Sequence, residues 1–177
     1  MTNPAEADFV ALYREHYADL KRFVARRVDP ARVDDVVGET FLAAWRRRTE
    51  LPPQPRPWLF RAARHTILNS YRGDRRQRAV AVRIAVTSVA ELIDPTREVD
   101  AHLDVVSAWQ RLDERDQEAL ALHVWDDLGD RDAAAVLGCS RAAYAMRLTR
   151  ARRRLARLLN ADAGTSVNAP LTASENS

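Results

Sequence analysis

Tyr144, Leu148, Ala151, Leu155 and Leu158 follow one another at spacings of four, three, four and three. Only a helix brings such a series onto one face, because in a strand the same residues would point to both sides of the sheet. The period recurs along the chain. Phe9, Leu12, Tyr13, Leu20, Phe23 and Val24 follow it, as do Val33, Val36, Val37, Phe41, Leu42 and Trp45, and then Leu59, Phe60, Ala63 and Ile67. With five glycines in 177 residues, few points remain where the backbone turns freely. The expected fold class is all-α, without a strand pattern or an internal repeat.

Punctuation divides the helices into two groups. Asn3, Pro4 and Glu6 form a start signal of cap, first-turn proline and acid, and Asp29 with Pro30 repeats it. Four prolines between Pro52 and Pro57 make a stiff connector, the last able to sit in the first turn of a third helix. Residues 1–78 are thus expected to form one small helical domain. Residues 79–100 lose the period, contain Pro95, and read as a flexible linker with one short helix at 88–93. Residues 101–160 regain it and form a second helical domain, while the small, polar residues 161–177 read as a disordered tail.

Charge is informative by position. The net charge is only +3, yet 27 of the 28 basic residues are arginine, Lys21 being the exception. Between Pro57 and Arg78 six arginines and one acid are interleaved with apolar residues. On a helical wheel Leu59, Phe60, Ala63, Ile67 and Tyr71 gather on one side; Arg61, Arg64, His65, Asn69, Arg72 and Arg75 fall on the other, and Trp58 projects toward them. Positive charge beside a flat ring and hydrogen-bonding edges suits an unpaired nucleic-acid strand.

The second basic stretch is more specific. A short helix over 131–137, a glycine (Gly138) suited to a left-handed turn, and Ser140 as cap of a longer helix spell a helix-turn-helix. From Arg141 to Arg157 there are seven arginines and no acid, as a recognition helix in a major groove requires.

Other chemistries find no support. A single cysteine (Cys139) cannot form an internal disulfide, and four scattered histidines show no metal-ligand spacing. A reducing cytoplasm is the expected location. No apolar run suits membrane insertion and no leader pattern opens the chain. Without paired carboxylates, a glycine-rich phosphate loop or a nucleophile beside a base, neither catalytic residues nor a cofactor or metal is expected, and the chain is read as a non-enzyme.

Three blocks in order carry a family likeness: "DDVVGETFLAAWR" at 34–46, "WLFRAARHTILNSYR" at 58–72 and "LGCSRAAYAMRLTRARRRL" at 137–155. Over about residues 9–159 the chain resembles the extracytoplasmic-function (ECF) group of bacterial RNA polymerase sigma factors. The resemblance implies two domains, sigma regions 2 and 4, and an alternative sigma factor that directs promoter recognition, DNA melting and transcription initiation. It implies core polymerase binding by Asp34, Asp35, Val36, Val37, Gly38, Glu39 and Leu42. It implies minus-ten contacts by Trp58, Arg61, Arg64, His65, Asn69, Arg72, Arg75 and Arg76, and minus-thirty-five contacts by Ser140, Arg141, Ala142, Arg147, Thr149, Arg150 and Arg154. The implied partners are core RNA polymerase, double- and single-stranded promoter DNA, and an anti-sigma factor. Gly38, His65, Asn69 and Ala145 depart from the residues usual in the group. The alternative is a helix-turn-helix regulator that binds duplex DNA without polymerase; it leaves the first two blocks without a role.

Overall fold

The computed structural model describes residues 4–71 and 99–166. Arg72, Arg75, Arg76, the short helix expected at 88–93 and the chain beyond 166 lie outside the described residues, which are helical and include no strand.

Three helices build the first unit: α1 (Pro4–Ala25), α2 (Val33–Arg46) and α3 (Arg56–Tyr71). Asp29 does act as a cap, its carboxylate accepting from Ala31 N at 3.1 Å, but it opens a single 3-10 turn, Pro30–Arg32, ahead of α2. The core joins Leu20, Phe23 and Val24 of α1, Val33, Val36, Val37 and Phe41 of α2, and Leu59, Phe60, Ala63 and Ile67 of α3. Phe23 and Phe60 stack at 4.4 Å between centroids and lock α1 to α3. Thr40 is buried in this apolar setting because its hydroxyl donates back to the Val36 carbonyl at 2.7 Å.

The second unit comprises α4 (Val99–Gln110), α5 (Glu114–Val124), α6 (Asp130–Leu137) and α7 (Arg141–Ser166). Asp113 caps α5 by accepting from Asp116 N, and Gln117 is buried with its amide donating to the carbonyls of Trp109 and Leu112. Tyr144, fully buried, donates to the Ala119 carbonyl at 3.0 Å and so bolts α7 to α5. Burial, then the nearby Asp130 charge, push its phenol up to about 12. Helix α7 runs to Ser166, past the start expected for a disordered tail at 161, since Ala161, Asp162 and Ala163 contain no breaker and Gly164 comes only near the end.

The two small helical domains expected from the sequence are both present, and they pack on one another, α3 lying against α6. Charges are concentrated at this joint. Asp126, between α5 and α6, has a fully buried carboxylate that accepts from Arg26 and Arg27 at the end of α1, each at 2.6 Å. Arg26 also reaches the Trp125 carbonyl, and Arg56, at the start of α3, donates to the Asp126 carbonyl at 2.8 Å and to Asp19 at 3.0 Å. Buried ions survive only when paired, which accounts for three arginines around one residue.

Candidate nucleic-acid interface

Helix α2 presents Asp34, Asp35, Gly38, Glu39 and Leu42 to solvent, with Leu42 48% exposed. Val36 and Val37 do not join them. They are core residues, 2% and 3% exposed, because the helical period that puts residues 34, 35, 38, 39 and 42 outside turns 36 and 37 inward. Leu42, expected in the core by its period, instead stands out beside the acids. Asp34 pairs with Lys21 of α1 at 2.9 Å, and this bond raises the lysine's pKa above its ordinary value. Next to this acidic edge lies an aromatic cluster, of which Phe9, Tyr13, Phe41 and Trp45 follow the buried period in the sequence. Phe9 meets Trp45, and Tyr13 packs on Tyr17 and Phe41, leaving Tyr13 40% and Val10 45% exposed. Exposed apolar residues beside acids give a surface suited to a protein partner.

On α3 the wheel reading divides. Arg61, His65 and Asn69 are exposed, and the Asn69 amide lies 3.0 Å from His65 Nδ1, one helical turn away. Trp58 departs from the expectation. It is half-buried and packed on the core, since a first-turn residue beside the connector is within reach of both faces. Arg64 is occupied: its guanidinium makes two bonds to the Glu118 carboxylate of α5, at 2.6 and 3.0 Å, and this pairing raises its pKa.

The turn before α7 is built as its residues require. Gly138 ends α6 at φ 68°, ψ 36°, a left-handed conformation that costs glycine nothing. Cys139 N then donates to the Ala134 carbonyl, and Ser140 Oγ accepts from Ala143 N at 3.1 Å to cap α7. With Tyr144, Leu148 and Ala151 buried beneath, the opposite face exposes Ala142, Met146, Thr149, Arg150 and Arg153; Ser140 and Arg141 are exposed at the helix start, and Arg147 is half-buried at the side. Arg154 is no free phosphate ligand. It bonds Asp113 at 2.8 Å and Asp116 at 3.0 Å, closing α7 onto the start of α5. Met146, 62% exposed amid arginines, was passed over in the sequence, although its position opposite the buried stripe could have marked it.

Residues 12–77 match the family described as Sigma-70 region 2, and residues 102–155 match Sigma-70, region 4. RNA polymerase sigma factor CnrH of Cupriavidus metallidurans is 33% identical over 142 residues, 73% of this chain and 74% of that protein. ECF RNA polymerase sigma factor EcfG of Rhodopseudomonas palustris is 33% identical over 136 residues, 74% of this chain and 73% of that protein. The chain belongs to the ECF RNA polymerase sigma factors. The fold of this sigma factor agrees. It matches the structure of CnrH in complex with the cytosolic domain of CnrY at a TM-score of 0.61 and 29% identity, over 89% of this chain and 90% of that one. It matches the sigma factor RpoE in complex with the anti-sigma factor NepR from Bartonella quintana at 0.61 and 22% identity, over 86% and 97%, a likeness of fold. Among the described residues of the sigma factor, no helix is long and apolar enough to cross a membrane and no side-chain group is arranged to hold a metal ion.

Proposed function

We propose that this sigma factor docks on core RNA polymerase in the cytoplasm, selects promoters with α7, and holds one unpaired strand of the minus-ten element on α3. The observation that carries the reading is the presence of two arginine faces of different build in one chain. The face of α7 follows a capped turn and is a regular outer stripe of Ala142, Met146, Thr149, Arg150 and Arg153, suited to base edges and methyl groups in a duplex groove. The face of α3 combines Arg61 with the His65 and Asn69 pair, whose edges match a base only after it has left the stack. Arg72, Arg75 and Arg76 extend the same charge in sequence.

The acidic edge of α2, with Leu42, Tyr13 and Val10 beside it, is the surface for polymerase. Its charges orient the encounter, and its apolar groups supply the contact area. The polymerase makes RNA; the sigma factor contributes recognition and strand capture, with no bond chemistry of its own. An anti-sigma factor, such as the partners seen with CnrH and RpoE, would act by covering these surfaces.

Transcription in vitro with core enzyme and genomic template, followed by sequencing of RNA start sites, tests the reading. Starts that share two spaced upstream elements are expected. Failure to bind core enzyme, with α7 still binding duplex DNA, would favour a polymerase-independent regulator.

A further inference from the structure

A cavity of about 480 Å³, open to solvent, lies between α1, the proline connector and α6. Leu12, Pro53 and Pro55 give it apolar walls, and Asp8 and Glu15 of α1 and Asp132 of α6 bring three carboxylates to it. Among the described residues none of these three carboxylates is paired with a lysine or an arginine. Arg56 also borders the cavity, but its guanidinium is already held by Asp19 at 3.0 Å and by the Asp126 carbonyl at 2.8 Å. His16 lines the same space. Its side chain is only 9% exposed and makes no hydrogen bond among the described residues, and the Glu15 carboxylate, 3.9 Å from Nε2, is beyond bonding distance. A hydrogen-bonding group buried to this degree ordinarily has a partner.

We propose that the cavity is a binding site for an aliphatic organic cation that carries ammonium or guanidinium groups. An N–H of the cation donates to the unprotonated ring nitrogen of His16, the carboxylates of Asp8, Glu15 and Asp132 balance its charge, and Leu12 with the prolines covers its carbon chain. A bare metal ion does not suit the place, because among the described residues no group of side chains is arranged to hold one. Pro53 and Pro55 restrict the connector's backbone, so one wall is set before the cation arrives and little ordering is lost on binding. The site needs neither DNA nor polymerase.

The chain has four histidines, so the His16 ring can be followed by NMR apart from the others. The full-length protein is titrated with agmatine, an ammonium and a guanidinium joined by a short carbon chain, at constant pH and ionic strength. Carrying the titration to about 10 mM nearly fills a site with a Kd near 1 mM. The His16 ring signals should move along a saturable curve while those of His65 and His123 stay in place. Glu15→Gln combined with Asp132→Asn should raise the midpoint about fivefold, and Glu114→Gln, an exposed acid of α5, should leave it unchanged. Both substituted positions are exposed, and circular dichroism checks that the double variant keeps its helicity. No saturable movement of His16, the same movement with sodium chloride in place of agmatine, or an unaltered midpoint in the double variant would overturn the site.

Discussion

Two glycines separate backbone strain from packing, and alanine at each should act with opposite sign. Gly138 sits at φ 68°, and a Cβ there would meet nothing closer than Arg61 Nη2 at 3.8 Å, an ordinary contact. Alanine therefore suffers only the left-handed backbone, about 1 to 2 kcal/mol, from which the stiffer unfolded chain returns about 0.4 to 1. The net is a loss of roughly 1 kcal/mol. Gly38 lies inside α2 on its exposed side, with nothing within 4 Å of a new Cβ. There alanine should gain about 0.5 to 1 kcal/mol, the ordinary helix preference. The two variants should thus stand about 2 kcal/mol apart, or roughly 4 to 8 °C in Tm for a chain of this size. Thermal and urea unfolding followed by circular dichroism measure this, and Gly138→Asn should lose less than Gly138→Ala because asparagine tolerates the left-handed region. Shifts of the same sign at both positions would refute the reasoning; a loss at Gly138 well above about 3 kcal/mol would mean a steric clash, not backbone conformation.

Reversing charge at Asp35 and Glu39 together should weaken association with core polymerase in a binding titration and leave helicity unchanged, because both acids are exposed. Arg150→Ala should cost about 1 to 3 kcal/mol at one preferred guanine, whereas Met146→Ala should relax a preference for thymine over cytosine; selection from a randomised upstream element reads both. Asp113→Ala should cost about 1 kcal/mol of stability by removing the α5 cap. The Asp116 amide, and then Arg154, hold the Asp113 carboxyl below its ordinary 3.8. The difference between wild type and variant should therefore be fully present above that value and shrink as the pH falls through the lower folded-state pKa, which unfolding curves at stepped pH would follow.

Much of the local structure was legible because it is written in short-range chemistry. Ser140 and Gly138 mark a cap and a left-handed turn in any context, and the four-three spacing of Tyr144, Leu148 and Ala151 can bury only one face. Site residues were less legible when a block was read as a unit. Val36 and Val37 stand in the block expected to meet polymerase, yet their register places them in the core. The joint between the units was invisible. Arg26 and Asp126 are 100 residues apart, and each alone reads as a solvated charge. Arg64 and Arg154 looked equivalent to their neighbours for the same reason, since an arginine's partner is decided by which carboxylate the tertiary fold delivers.

The convergence on Asp126 also bears on the order in which the chain assembles. Arg26 and Arg27 directly follow α1, and Arg56 begins α3, so the three side chains point to one place only after the first bundle has closed on itself. A loop with a buried carboxylate cannot settle on a half-formed bundle, because one missing donor leaves the charge uncompensated. During synthesis the first bundle emerges first. Docking of the second unit around Asp126 thus depends on a first bundle that already holds all three donors in place.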